Sequence, residues 1–194
     1  TGFLPIRLNS AADLACDEQI SLFVEGADFA PERNASGFIG RYVVRALARD
    51  GFRIRAGVRN PATAHFLRPF GAVGQIQITQ ANARVPDTVA RASEGAWGVV
   101  NLIGTINQSG PKSFYGLHVD AARNIAAAAA RGGAQRLLHF SVLGADDKSP
   151  SMYYRTKAIG DEAVRASFPG AVILRPSILF CPDDDFFYRF AGLA

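Results

Sequence analysis

From Ser36 onward the apolar positions switch regularly between a helical and an extended period. Gly40, Val43, Val44 and Leu47 fall on one helical face, and Asp50-Gly51 supplies the stop. Residues 52–58 follow as a strand closed by Asn60-Pro61. A helix-like stretch around 63–66 leads to a strand at 75–79, then a helix at 86–92 and a continuously apolar strand at 97–103. Leu117, Ala121, Ile125 and Ala128 form the buried stripe of a long Ala-rich helix that Gly132-Gly133 ends. A strand at 136–141, a helix at 153–168 and a strand at 171–174 complete the pattern. Alternating strands and helices, with several strands apolar throughout, predict an α/β fold: a doubly wound parallel sheet of Rossmann-like type, covered on both faces.

The first 35 residues lack this clarity. Residues 20–24 can form a strand, but Pro31-Glu32-Arg33-Asn34 is a polar break. The expected organisation is an atypical segment at 1–35, with 20–24 standing in for a first strand, and one dinucleotide-type domain at 36–194.

Composition narrows the function classes. Of 194 residues, 48% are apolar and 20% charged, which fits a packed domain rather than a disordered chain. The net charge of +4 is spread along the sequence without a dense Lys/Arg run, so nucleic acid is not an expected partner. That balance suits an anionic ligand, or docking on an acidic or membrane-adjacent surface. Cys16 and Cys181 form no metal-binding spacing, and a reducing compartment is expected. No apolar run approaches the roughly 20 residues that span a bilayer, and residues 1–5 do not resemble a signal peptide. Contact with a membrane is therefore expected through a partner rather than a span.

The stretch Asn34-Ala35-Ser36-Gly37-Phe38-Ile39-Gly40 opens the first regular helix. A dinucleotide loop needs glycine for a tight turn, for approach to the pyrophosphate and for helix–strand packing, and the helix start adds free N–H groups. Gly37 and Gly40 meet the second and third needs, while Asn34 occupies the first position. Ser36, Gly37, Phe38 and Ile39 are the candidate pyrophosphate contacts. The alternative is that the two glycines serve only helix–strand packing.

Ser36-Gly37-Phe38-Ile39-Gly40-Arg41-Tyr42-Val43-Val44 resembles the first helix of atypical short-chain dehydrogenases/reductases of the epimerase/dehydratase-like type. Ala56-Gly57-Val58-Arg59-Asn60-Pro61, Val100-Asn101-Leu102-Ile103-Gly104, Tyr153-Tyr154-Arg155-Thr156-Lys157, Ile173-Leu174-Arg175-Pro176-Ser177 and Pro182-Asp183-Asp184-Asp185-Phe186-Phe187 extend the likeness over 36–194. Within this group the chain is most similar to the NAD(P)H-binding accessory subunit family of respiratory complex I. It departs from the family in lacking a strand and glycine turn directly before Ser36, in having Cys181 where glycine is usual, and in ending before the substrate-side region.

The resemblance implies NADPH as cofactor, other complex I subunits as partners, and a place on the cytoplasmic or mitochondrial matrix side, peripheral to the inner membrane. Arg59 stands where NAD-preferring folds carry an acid; with Arg41 it would accept a 2′-phosphate, although solvated surface arginines are the plain alternative. Gly104 would let the cofactor approach the end of its strand, or is simply a turn glycine. The family's catalytic set maps onto Ser141, Tyr153 and Lys157, with the lysine lowering the tyrosine pKa and holding the nicotinamide ribose. Tyr153 and Lys157 share a helix face, and a tyrosine with an ordinary pKa of about 10 needs such help. Against this, Tyr153 can serve as packing and Lys157 can face solvent.

Among the remaining candidates, His65, His118 and His139 are scattered, and His139 reads as a satisfied core histidine. Asp183, Asp184 and Asp185 read as a solvated turn rather than a metal site, and Phe186, Phe187, Tyr188 and Phe190 as packing or interface. The leading expectation is an accessory subunit with a structural NADPH. The alternative is an NADPH-dependent reductase or epimerase-like enzyme, and a third reading is a fragment with neither cofactor nor activity.

Overall fold

The computed structural model describes residues 19–23, 38–106 and 113–179. Their strands form one parallel sheet: β1 (Gln19–Phe23), β2 (Arg53–Val58), β3 (Ile76–Gln80), β4 (Gly98–Asn101), β5 (Arg136–Phe140) and β6 (Val172–Leu174). The order across the sheet is β3-β2-β1-β4-β5-β6. β1 pairs in parallel with β2 on one side and β4 on the other, so the strand order reverses at its carboxyl end. In doubly wound folds that reversal opens the crevice where ligands bind.

The central strands β1, β2 and β4 are buried on both faces, which explains why they read as apolar runs. Ile20 and Leu22 of β1 join Ile54, Ala56 and Val58 of β2 under α1 (Phe38–Arg49) through Val44 and Ala48. Phe23, Val99 and Leu137 point the other way, onto α2 (Pro86–Ser93), α3 (Ala121–Arg131) and α4 (Met152–Ser167). Ser21, the one hydroxyl in β1, is buried on that second face and donates to the Ala92 carbonyl at 2.8 Å. Arg55 caps the same helix end, donating to the Ala92 and Glu94 carbonyls at 3.0 and 2.7 Å. Polar positions inside the sheet thus terminate helices rather than remaining unsatisfied.

Three elements differ from the sequence expectation. The stretch around 63–66 is not an α-helix but two 3₁₀ turns, Pro61–Thr63 and His65–Phe70, because Pro61 and Pro69 cannot donate to a continuous helical ladder. The strand expected at 97–103 shortens to Gly98–Asn101, where Asn101 Oδ1 accepts the Ile103 N–H at 3.0 Å and turns the chain outward. The long Ala-rich helix begins with a π-helical turn, Gly116–Asp120, before α3. Leu117, Ala121, Ile125 and Ala128 are nevertheless all buried, as the stripe requires.

Helix α4 lies against this π-helical turn at a point where no side chain fits. A Cβ on Gly160 would overlap the His118 carbonyl oxygen, and both groups are backbone-anchored. Gly160→Ala is therefore expected to cost about 2–3 kcal/mol, as overpacking of rigid interiors does, despite alanine's better helix propensity. Urea denaturation measures it, and a loss below about 0.5 kcal/mol would show that the two segments can separate freely.

Candidate functional site

The carboxyl ends of β4, β5 and β6 carry a buried polar assembly completed by one stripe of α4. Tyr153, Lys157 and Asp161 are spaced by four along that helix and so share a face. Asp161 is fully buried, and Arg175, at the exit of β6, donates to its Oδ2 from Nε at 3.0 Å and from Nη2 at 2.8 Å. Its Oδ1 faces His139 Nε2 at 3.5 Å, too long for a good hydrogen bond. Ser141 Oγ stands beside the same carboxyl, close enough to lower its pKa but without hydrogen-bond geometry. Burial alone would raise the Asp161 pKa; His139, Ser141 and Arg175 together outweigh it and keep the group a carboxylate.

The tautomer of His139 follows from its neighbours. Asn101 receives the Ile103 N–H on Oδ1, so its amide nitrogen faces His139 Nδ1 at 3.0 Å. Nδ1 then accepts, which leaves the ring proton on Nε2, directed at Asp161. Burial keeps His139 neutral, pushing its pKa down against the opposing pull of Asp161. The sequence reading of His139 as a core histidine matches this burial.

Lys157 does not face solvent. It is 5% exposed, and its Nζ donates to the Phe140 carbonyl at 3.1 Å. Burial lowers its pKa to about 8, with Asp161 pulling the other way. A Cβ on Gly104 would come within 3.1 Å of Lys157 Nζ, so the bare backbone there gives the lysine amine room beside the strand end. Tyr153 is half-buried, edge-on to Phe114, His118 and Tyr154. Its pKa is raised, by burial and then by Tyr154. That is opposite to the lowering the resemblance implied.

A second buried histidine, His118, holds the exit of β4 against α4. Its Nδ1 meets Thr156 Oγ1 at 2.9 Å, and its Nε2 meets the Thr105 carbonyl and N–H at 3.1 and 3.3 Å. Burial, followed by the Lys157 charge, lowers its pKa to about 3.

On the other side of the reversal point, Arg59 lines a narrow cleft with Phe23, Gly57, Ala81–Arg84, Ile103 and Leu117. Arg41 is not among its lining residues; its guanidinium lies 5.5 Å from the Phe66 ring centroid. Gly40 is buried on α1, and Ile39 lies half-buried beside it. Ser36 and Gly37 lie outside the described residues, as do Asn34, Cys16, Cys181, Asp183–Asp185 and the aromatic run after them; Phe38 is described as backbone only. Among the described residues no His/Cys/Asp/Glu cluster could hold a metal.

Sequence reasoning named Ser141, Tyr153 and Lys157, which the structure brings to one edge of the sheet, but gave no role to Asn101, Thr156, Asp161, Arg175 or His118. The spacing of 153, 157 and 161 was a usable signal for Asp161. Nothing local marks Asn101 or Arg175, whose partners lie 38 and 14 residues away.

A family model described as NAD(P)H-binding matches residues 35–186. The mouse protein named NADH dehydrogenase [ubiquinone] 1 alpha subcomplex subunit 9, mitochondrial, is 37% identical over 159 residues, covering 81% of this chain and 42% of its own length. A Caulobacter vibrioides protein named ceramide reductase is 35% identical over 150 residues, covering 77% of this chain and 46% of its own. A Bacillus halodurans structure named as an NAD-dependent epimerase/dehydratase superposes with a TM-score of 0.66 at 25% identity, covering 83% of this chain and 71% of that one. The chain thus spans less than half the length of these two curated relatives.

The buried histidines make acid stability a test of the site. Folded His118 stays neutral down to about pH 3, whereas the unfolded chain takes up its proton near 6.5. Over that interval the unfolded state binds more protons, so stability is complete above about pH 6.5 and is lost as pH falls. His139 acts in the same direction. The urea midpoint is expected to fall steadily between about pH 7 and 4.5, with a shallower fall in His118→Asn. A flat profile in the parent chain would contradict the burial of both rings.

Proposed function

The chain belongs to the NAD(P)H-binding family, and from that premise we propose that it serves as a reductase-like accessory subunit of respiratory complex I holding NADPH structurally. The observation that carries the reading is the likeness to a complex I subunit within an NAD(P)H-binding family match. The Tyr153 pKa is raised rather than lowered, and its ring is wedged among Phe114, His118 and Tyr154. A tyrosine acid/base working near neutral pH needs the opposite shift.

In this reading the residues at the reversal point would hold the dinucleotide. Arg59 would pair with a 2′-phosphate beside the Ala81–Arg84 turn, while Lys157 and the bare edge at Gly104 would hold the nicotinamide ribose. Ser36, Gly37, Phe38 and Ile39 would meet the pyrophosphate through the start of α1, with Arg41 adding positive charge there. The nucleotide supplies a hydride when reduced; in this reading the protein uses it to brace the sheet's carboxyl edge. The mitochondrial placement of the mouse relative supports a matrix-side position in mitochondria, or its cytoplasmic counterpart, peripheral to the inner membrane.

A second reading, an NADPH-dependent reductase using Ser141, Tyr153 and Lys157, draws support from the relative named ceramide reductase and from the buried Lys157 amine. In that mechanism Tyr153 would donate the proton, Lys157 would stabilise its phenolate, and Ser141 would orient a carbonyl.

Calorimetric titration separates the cofactor claims. NADPH is expected to bind at least about tenfold more tightly than NADH, with Arg59→Glu erasing the difference. Equal affinities in the parent chain would refute the assignment of Arg59. For the subunit claim, affinity-tagged chain is expected to co-purify with complex I. Absence of co-purification, with carbonyl-dependent NADPH oxidation lost in Tyr153→Phe, would favour the reductase.

A further inference from the structure

Asp161 is buried as a charge, yet only one of its oxygens is fully answered. Oδ2 accepts both Arg175 bonds, whereas Oδ1 makes no hydrogen bond and faces the His139 ring at 3.5 Å. Replacing a buried ion pair by apolar side chains of similar volume is often neutral or stabilising, so stability alone does not account for a carboxylate here. A buried charge left half-satisfied points to a use for that charge.

The use lies one helical turn back, on the same face of α4. Lys157 is buried, and its Nζ donates to the Phe140 carbonyl at 3.1 Å. An ammonium has three N–H donors, so two remain for a ligand arriving at the ends of β4 and β5, beside the bare backbone of Gly104. Two donors match the vicinal hydroxyls of a ribose. A neutral amine would offer one donor there and no charge.

The groups around this amine come from four elements. Tyr153 and Asp161 share its helix face, His139 comes from β5, His118 from the π-helical turn, and Arg175 stands behind Asp161 at the exit of β6. Burial keeps both histidines neutral, Tyr153 is raised above its ordinary value, and an arginine stays charged. Lys157 is thus the group that changes charge between about pH 7 and 9. Burial lowers it to about 8, and Asp161 opposes a further fall.

We propose that Asp161 is a positioning residue of the dinucleotide site: acting through Lys157, its carboxylate keeps the ribose-facing amine a cation and so sets how far into alkaline solution the nucleotide binds. This rests on the reading of the carboxyl edge as a dinucleotide site.

Calorimetric titration of the full chain with NADPH and with NADH, between about pH 7 and 9.5, tests it. Affinity in the parent is expected to be level near the lower limit and to fall above about pH 8, by up to about tenfold per pH unit. Asp161→Asn should move that fall to lower pH, and each unit moved weakens binding about tenfold on the falling limb. Both nucleotides should weaken together, because the 2′-phosphate is assigned to Arg59 on the other side of the reversal point. Asp161→Glu, which keeps the charge, should retain most of the parent's alkaline range. Lys157→Met, which leaves Asp161 in place, is expected to bind weakly and without the alkaline fall, and so reads the amine even where the Asn variant is unstable. A flat profile in the parent, a parent-like profile in Asp161→Asn, or equal losses in the Asn and Glu variants at every pH would overturn the proposal and leave the dinucleotide site standing. Binding of neither nucleotide at any pH would overturn the dinucleotide reading itself, and the proposal with it.

Discussion

Burying the Asp161 carboxylate is tolerable only because its surroundings answer its charge from several elements at once. Arg175 contributes two hydrogen bonds from the exit of β6, His139 turns its ring proton toward it from β5, and Lys157 lies one helical turn away. An unanswered carboxylate in this position would cost several kcal/mol. The arrangement therefore ties α4 to the carboxyl ends of β5 and β6, and through Asn101 to β4. Lys157 and Gly104 lie beside this tie, and they are the residues that the proposed dinucleotide's ribose would meet.

Helix α4 is anchored a second time through its small residues. Gly160 permits backbone contact with the π-helical turn, and Thr156 engages His118, which in turn holds Thr105 at the β4 exit. The residues of the two anchors flank Lys157, Thr156 before it and Gly160 and Asp161 after it. Together they explain how an amine with so little exposure can be directed at one carbonyl, that of Phe140. Tyr153 is enclosed beside them among the rings of Phe114, His118 and Tyr154, and burial raises its pKa.

Much of the fold was legible because apolar periodicity reports burial directly. Every strand and helix expected from residue 36 onward has a counterpart except the stretch around 63–66, where two prolines overrode the helical pattern. The site was legible only where its residues are local. Tyr153 and Lys157 declare themselves by spacing, and Ser141 by its place after a strand. The Asn101–His139 and Asp161–Arg175 contacts join residues on separate elements, and no window of sequence contains both partners.

An NMR titration of the Lys157 ζ-amine, in the parent chain and in Asp161→Asn, tests the arrangement most directly. A midpoint of about 8 in the parent, falling further when the carboxylate is removed, is what a buried amine supported by Asp161 requires. A midpoint near 10.5, or one indifferent to the substitution, would mean that Lys157 is solvated and that the buried assembly at the carboxyl edge does not exist as described.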